Sequence, residues 1–118
     1  MTHVTHYEIS ASDVDRAQRF WSGLFGWEFG ESVMPEGEYR MARTGEASGA
    51  AISSYGEPGH PNVYFDVDDI DASVAKVSEL GGSAEAKAPV PGMGWFAACR
   101  DSEGNAFSLW QTDSTAGA

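Results

Sequence analysis

Two stretches decide how this chain folds: His6-Tyr-Glu-Ile-Ser-Ala-Ser-Asp-Val-Asp15 and, 56 residues on, Asn62-Val-Tyr-Phe-Asp-Val-Asp-Asp-Ile-Asp71. Laid over one another they put Asp13-Val14-Asp15 on Asp69-Ile70-Asp71 and Leu24 on Leu80, with Gly26 and Gly82 closing the two segments. Each copy runs from a strand-like stretch into an acidic helix cap, then a helix, then a glycine, and a repeat of that length is read before anything else because it sets the architecture. In the first copy Asp13 caps, Val14, Ala17, Trp21 and Leu24 recur at helical spacing, and Gly26 supplies the left-handed stop. In the second, Asp68 or Asp69 caps, Ile70, Val74, Val77 and Leu80 form the stripe, and Gly81-Gly82 ends it. Trp21 and Phe20 or Phe25 are assigned to the packing of the first helix.

Working outward, three short strand-like stretches follow each helix, separated by turn residues. They are 27–30, 38–43 and 49–54 in the first half, and 83–87, 94–100 and 106–111 in the second. Each half is therefore β-α-β-β-β, and the fold class is α+β. The expected organisation is one domain over 1–118: module one over about 3–54, a Gly/Pro-rich linker at 55–61, module two over about 62–112, and a small polar tail at 113–118 that should fray.

With 7 Lys and Arg against 18 Asp and Glu, the formal charge is -11, which repels phosphate backbones and anionic lipid. Neither nucleic acid nor a membrane is an expected partner. Leu, Ile, Val and Phe number only 20 of 118, a share associated with disorder, but four Trp and four Tyr bury enough area each to support a core. The N-terminus lacks the basic and apolar regions of a signal peptide, so a cytoplasmic location is expected. Cys99, the single cysteine, reads as a small buried hydrophobe.

Val14-Asp-Arg-Ala-Gln-Arg-Phe-Trp21 with Leu24-Phe-Gly-Trp27, and Arg100-Asp-Ser-Glu-Gly-Asn105 leading into Phe107-Ser-Leu-Trp110, resemble the vicinal oxygen chelate superfamily of glyoxalases, bleomycin-resistance proteins and extradiol dioxygenases. The resemblance spans about residues 3–112. It implies curved mixed sheets around a concave cavity with the helices outside, and commonly a homodimer. Metal-dependent members place ligands early in the first strand and in the last strand of each module, which here falls on His6, about Ala51, Asn62 and Ser108. The repeat overlies His6 with Asn62 and, with one residue of slip, Ala51 with Ser108. Only His6 is a good divalent-metal ligand, so no metal residue is assigned and no cofactor is expected; a divalent ion at a rebuilt site using His6, Glu8 and Asp66 is the alternative.

Strand alternation puts His6 and Glu8 on one face with Tyr7 and Ile9 on the other, and likewise Asn62, Tyr64 and Asp66 opposite Val63, Phe65 and Val67. His6 and Glu8 are the candidate catalytic pair; Tyr55, Asn62, Tyr64, Asp66, Trp95, Ser108 and Trp110 are the candidate ligand-binding residues. A one-residue slip would exchange His6 and Glu8 for Tyr7 and Ile9. His3 is terminal, His60 reads as a loop histidine, and Pro91-Gly-Met-Gly-Trp95 reads as a flexible turn that in the family borders the cavity as a lid. The favoured reading is a homodimeric, metal-free binder of an aromatic or cationic small molecule, as drug-sequestering relatives are. Its alternative is a glyoxalase-type lyase, isomerase or dioxygenase using a nonstandard metal site or His6 and Glu8 as acid and base.

Overall fold

The computed structural model describes residues 2–118 and divides into two compact units, Thr5–Asn62 and Val63–Ala118, the latter joined by the N-terminal residues up to Val4. In the first, β1 (Val4–Ser10) leads to α1 (Val14–Phe25), then β2 (Tyr39–Arg43) and β3 (Gly49–Ser53). β1 and β3 are parallel, β2 and β3 antiparallel, so β3 lies in the middle. Asp13 caps α1 by accepting from the Arg16 N–H at 3.0 Å, and Gly26 ends it at φ 72°, where a side chain would be strained. Arg40 ties β2 to the helix through Asp15 at 2.9 Å and Gln18 at 2.8 Å, with Glu38 on its other guanidinium nitrogen.

The core of this unit is made of small residues. Ala42, Ala50, Ala51, Ile52 and Val14 are buried, and bulk is supplied by an aromatic ladder in which Trp21 and Trp27 stack at 5.7 Å. Two expectations change here. Phe20, Leu24 and Phe25 stay 59%, 58% and 55% exposed, because three apolar positions on a 12-residue helix turn past the stripe that reaches the sheet. The segment 27–30 is not a strand; it is held to β2 by one ladder bond, Gly30 N–H to the Met41 carbonyl at 3.0 Å.

The second unit contains β4 (Asn62–Asp66), α2 (Ile70–Glu79), β5 (Ser83–Ala84), β6 (Ala88–Val90), β7 (Gly94–Arg100) and β8 (Ala106–Thr112). β4 and β8 are parallel, β8 and β7 antiparallel, and β7 also carries β5 and β6 on its far side. Of the expected strand at 83–87 only Ser83–Ala84 forms, and β6 lies just beyond it, with Pro89 confined to an edge where its missing N–H costs least. Asp69, not Asp68, is the cap of α2, and the Gln111 side chain accepts from the Ile70 N–H at 2.8 Å. Ile70, Ala97, Cys99 and Leu109 form the core with Phe65, Val67, Val74, Val77 and Phe107 around them. Burial holds the Cys99 thiol above its ordinary range, consistent with an inert hydrophobe.

The tail does not fray. Ala116 is 3% exposed and accepts from the Gly92 N–H, while the Asp113 N–H reaches the Met93 carbonyl at 2.9 Å. The turn at 91–94 expected to be a flexible lid is therefore tied down by the last residues of the chain. Among the described residues no helix is long and apolar enough to cross a membrane.

Candidate functional site

In the first unit the register places His6 opposite Gly49, and Glu8 opposite Ala51, with Met41 and Arg43 of β2 completing the same face. Tyr7 and Ile9 point instead toward α1, lining a cavity with Trp21 and Trp27. The expected inside-outside assignment of β1 therefore stands, and the slip is excluded. Because β3 offers only Gly49 and Ala51 between the outer strands, the long side chain of Tyr39 can cross it. Its hydroxyl donates to Glu8 Oε2 at 2.8 Å and lies 2.9 Å from His6 Nε2, with the two rings near parallel at 23°.

Proton accounting orders this chain of groups. An ionised Glu8 only accepts, so the Tyr39 hydroxyl proton goes to it, and the Tyr39 oxygen then accepts from His6 Nε2–H. Nδ1 is then the unprotonated ring nitrogen and lies near Gly49: a Cβ added there would sit 3.9 Å from it. Burial lowers the pKa of His6 from the ordinary 6.5, and the Glu8 charge opposes that only in part. His6 is thus a neutral base at pH 7, held in one orientation by Tyr39. Arg43, exposed and in register with Gly49 and His6, is the cation of this face.

The donor set does not fit the divalent ion that the superfamily resemblance implies. Ala51 is a fully buried methyl, Ser108 a buried hydroxyl, and Asn62 a neutral amide, while His6 and Glu8 both bind the Tyr39 hydroxyl. Among the described residues no group of three or more His, Cys, Asp or Glu is arranged to hold a metal ion. The structural register agrees with the repeat: Glu8 pairs with Ala51 and Tyr64 with Ser108, so the one-residue slip between the modules is real.

In the second unit Tyr64 and Ser108 are paired, as are Asp66 and Trp110. Trp110 folds over Gly94, where an added Cβ would lie 2.6 Å from ring carbon Cζ2, and its indole N–H reaches Thr112 Oγ1 at 3.1 Å. Asn62, Tyr64 and Ser108 are all engaged in interactions. Trp95 does not join them. It pairs with Gln111, packs against the α2 core, donates to Asp113 Oδ2 at 3.0 Å, and carries the Lys87 ammonium 4.4 Å from its ring centre. One strand position separates Trp95 from Phe96, and that reverses its face; the platform pairing Trp95 with Trp110 does not form. Tyr55 donates to the Glu36 carbonyl and packs over Gly37, so it braces the 31–38 loop. His60 is exposed, its ring against the Pro61 carbonyl.

The 100–105 motif also proves structural. Asp101 accepts from the Glu103 and Asn105 backbones at 2.8 and 2.9 Å and from the Asn105 side chain, with Gly104 at φ 85°, and these bonds hold its carboxyl below the usual range. It is a self-capped hairpin turn that sets the β7–β8 register. The residue the sequence missed is Tyr39. It lies in an expected strand, but its partners sit two strands away, and only the small residues at 49 and 51 signal that a side chain can span the gap.

Against known proteins, the model of the glyoxalase-like domain family matches residues 6–110. A Mycobacterium bovis protein named "Putative glyoxylase CFP32", and its Mycobacterium tuberculosis counterpart, are 33% identical over 121 residues, covering 94% of this chain and 46% of theirs. The chain thus spans about half the length of these relatives. Among solved structures, hypothetical protein BH1468 of Bacillus halodurans C-125 superposes with a TM-score of 0.70 at 16% identity, covering 99% of both chains. The methylmalonyl-CoA epimerase of Mycobacterium tuberculosis does so at 0.64 and 16%, covering 93% of this chain and 87% of its own. A glyoxalase/bleomycin resistance protein/dioxygenase superfamily member from Vibrio splendidus 12B01 gives 0.64 and 18%, covering 96% and 100%. With 105 of its residues matched, the chain belongs to the glyoxalase-like domain family.

Proposed function

We propose that this chain binds a small carbonyl compound over the His6–Tyr39–Glu8 face and moves a proton on it without a metal, as a lyase- or isomerase-type enzyme. The observation that supports this is the relay itself: a neutral, half-buried imidazole oriented through a tyrosine hydroxyl by a carboxylate. The His6 imidazole takes a proton from carbon next to the carbonyl, the imidazolium is stabilised by Glu8 through Tyr39 and exchanges its proton with solvent, and a proton is then returned from it to product. Arg43 favours the negative charge that develops on the carbonyl oxygen. The names of the mycobacterial relatives and the occurrence of an epimerase on the same fold are in keeping with such chemistry.

The test is exchange of carbon-bound hydrogen in D₂O, followed by ¹H NMR over a panel of 2-oxo acids, aldehydes and thioesters, with chelator-treated protein. Exchange by wild type that disappears in His6→Ala and falls at least tenfold in Tyr39→Phe is expected. Exchange that needs an added divalent ion, or survives His6→Ala, overturns the reading. A second reading, binding without chemistry, draws on Tyr64, Asp66 and Trp110, whose shared face suits an aromatic or cationic ligand. Ligand binding by a protein that exchanges nothing would establish it. We further propose a homodimer in which a second copy covers the exposed Phe20, Leu24 and Phe25 on α1, a patch of the kind that marks interfaces. Leu24→Glu should then shift the mass in light scattering from two chains to one.

A further inference from the structure

We propose that the first module carries a second ligand chamber, on the sheet face opposite the relay, that accepts a flat, uncharged aromatic molecule. The chamber, about 330 Å³, is lined by Tyr7, Ile9, Trp21, Trp27, Thr44 and Ser48 and bordered by Pro61. Tyr7 and Ile9 alternate along β1 with His6 and Glu8, so the two sites are separated by the thickness of one sheet. The chamber is a half-open pocket, with the Trp21 and Trp27 rings, parallel within 7°, as one wall.

The lining defines the ligand. No ionised side chain contributes to it, in a chain of net charge -11, so a cation lacks a counter-charge and an anion is repelled. Indole and phenol walls favour a flat ring. Thr44 Oγ1 and Ser48 Oγ are 2.9 Å apart and share one hydrogen bond, which leaves one hydroxyl proton for an acceptor on the ligand. A cavity of about 150 Å³ holds one benzene, so this volume has room for two or three rings. Site and ligand are independent of the chemistry proposed for His6.

The probe is N-phenyl-1-naphthylamine, uncharged and fluorescent in apolar surroundings, titrated into the full chain and compared with anionic 1-anilinonaphthalene-8-sulfonate. Expected are saturation at one probe per chain, at least tenfold weaker binding of the sulfonate, and a tenfold or greater loss of affinity in Ser48→Phe and in Ile9→Phe, each of which fills the chamber. His6→Ala should bind as wild type. Amide shifts of Thr44 and Ser48 on adding probe to the unaltered protein locate the site whether or not a filled variant folds. Unsaturable binding, unmoved Thr44 and Ser48 amides, or loss of binding in His6→Ala would overturn the proposal.

Discussion

Replacing Tyr39 by Phe removes one oxygen atom and, with it, both hydrogen bonds of the relay. The ring, its near-parallel placement on His6 and the packing volume all remain, so no cavity term enters. One lost bond runs to a carboxylate at 2.8 Å and the other to an imidazole at 2.9 Å. A bond to a charged group contributes about 1.5–3 kcal/mol when desolvated and a neutral one about 1 kcal/mol. Tyr39 and His6 are only half-buried, and water replaces part of each bond, so the net loss should be about 2 kcal/mol. For a chain of this length that is a fall in Tm of about 8 °C. Thermal unfolding by circular dichroism reads it, and a double-mutant cycle with Glu8→Gln isolates the pair: coupling of about 1 kcal/mol or more is expected, against the roughly 0.3–0.5 kcal/mol scatter of independent sites. A Tm change under about 2 °C together with coupling inside that scatter would refute the relay.

Acid should weaken the fold through His6. Its folded pKa lies below the unfolded 6.5, so on acidification the unfolded chain binds the proton first, and stability falls from about pH 6.5 until the folded pKa is passed. The carboxylates held low, Glu38, Asp101 and Asp113, act only below 4.5, so urea midpoints between pH 6.5 and 5 should slope in wild type and slope less in His6→Gln. Gly94→Ala drives a Cβ against the Trp110 ring and the Gln111 carbonyl and should cost about 1–3 kcal/mol in denaturant titration, with altered Trp fluorescence. Ile70→Ala, at a fully buried core position, should cost about 2–5 kcal/mol by the same assay; a value under 1 would mean α2 is not anchored there.

Local features were legible because they are governed by neighbours in the chain. The Asp13 and Asp69 caps, the Gly26 stop and the alternation that sends His6 and Glu8 one way and Tyr7 and Ile9 the other all follow from helix and strand periods. The segment at 27–30 reads like a strand and is not one, since pairing depends on what lies beside it. Trp95 was misplaced for a related reason: a tryptophan next to a flexible-looking turn invites a ligand, yet its parity in β7 sends it to the α2 core. The tail, polar and small, looks frayed until the Ala116 carbonyl accepts from Gly92 and the Asp113 N–H donates to the Met93 carbonyl.

By itself the sequence determined the two repeated strand-helix openings, the helix ends and the family, because each rests on residue type and on spacing along one segment. Only the tertiary structure decided that Tyr39 reaches across β3 to join His6 to Glu8, and that Trp21 and Trp27 wall a pocket with Tyr7 and Ile9. The two relay contacts join residues 33 and 31 positions apart in the chain, and no period within a strand or helix encodes which distant side chain a small residue leaves room for.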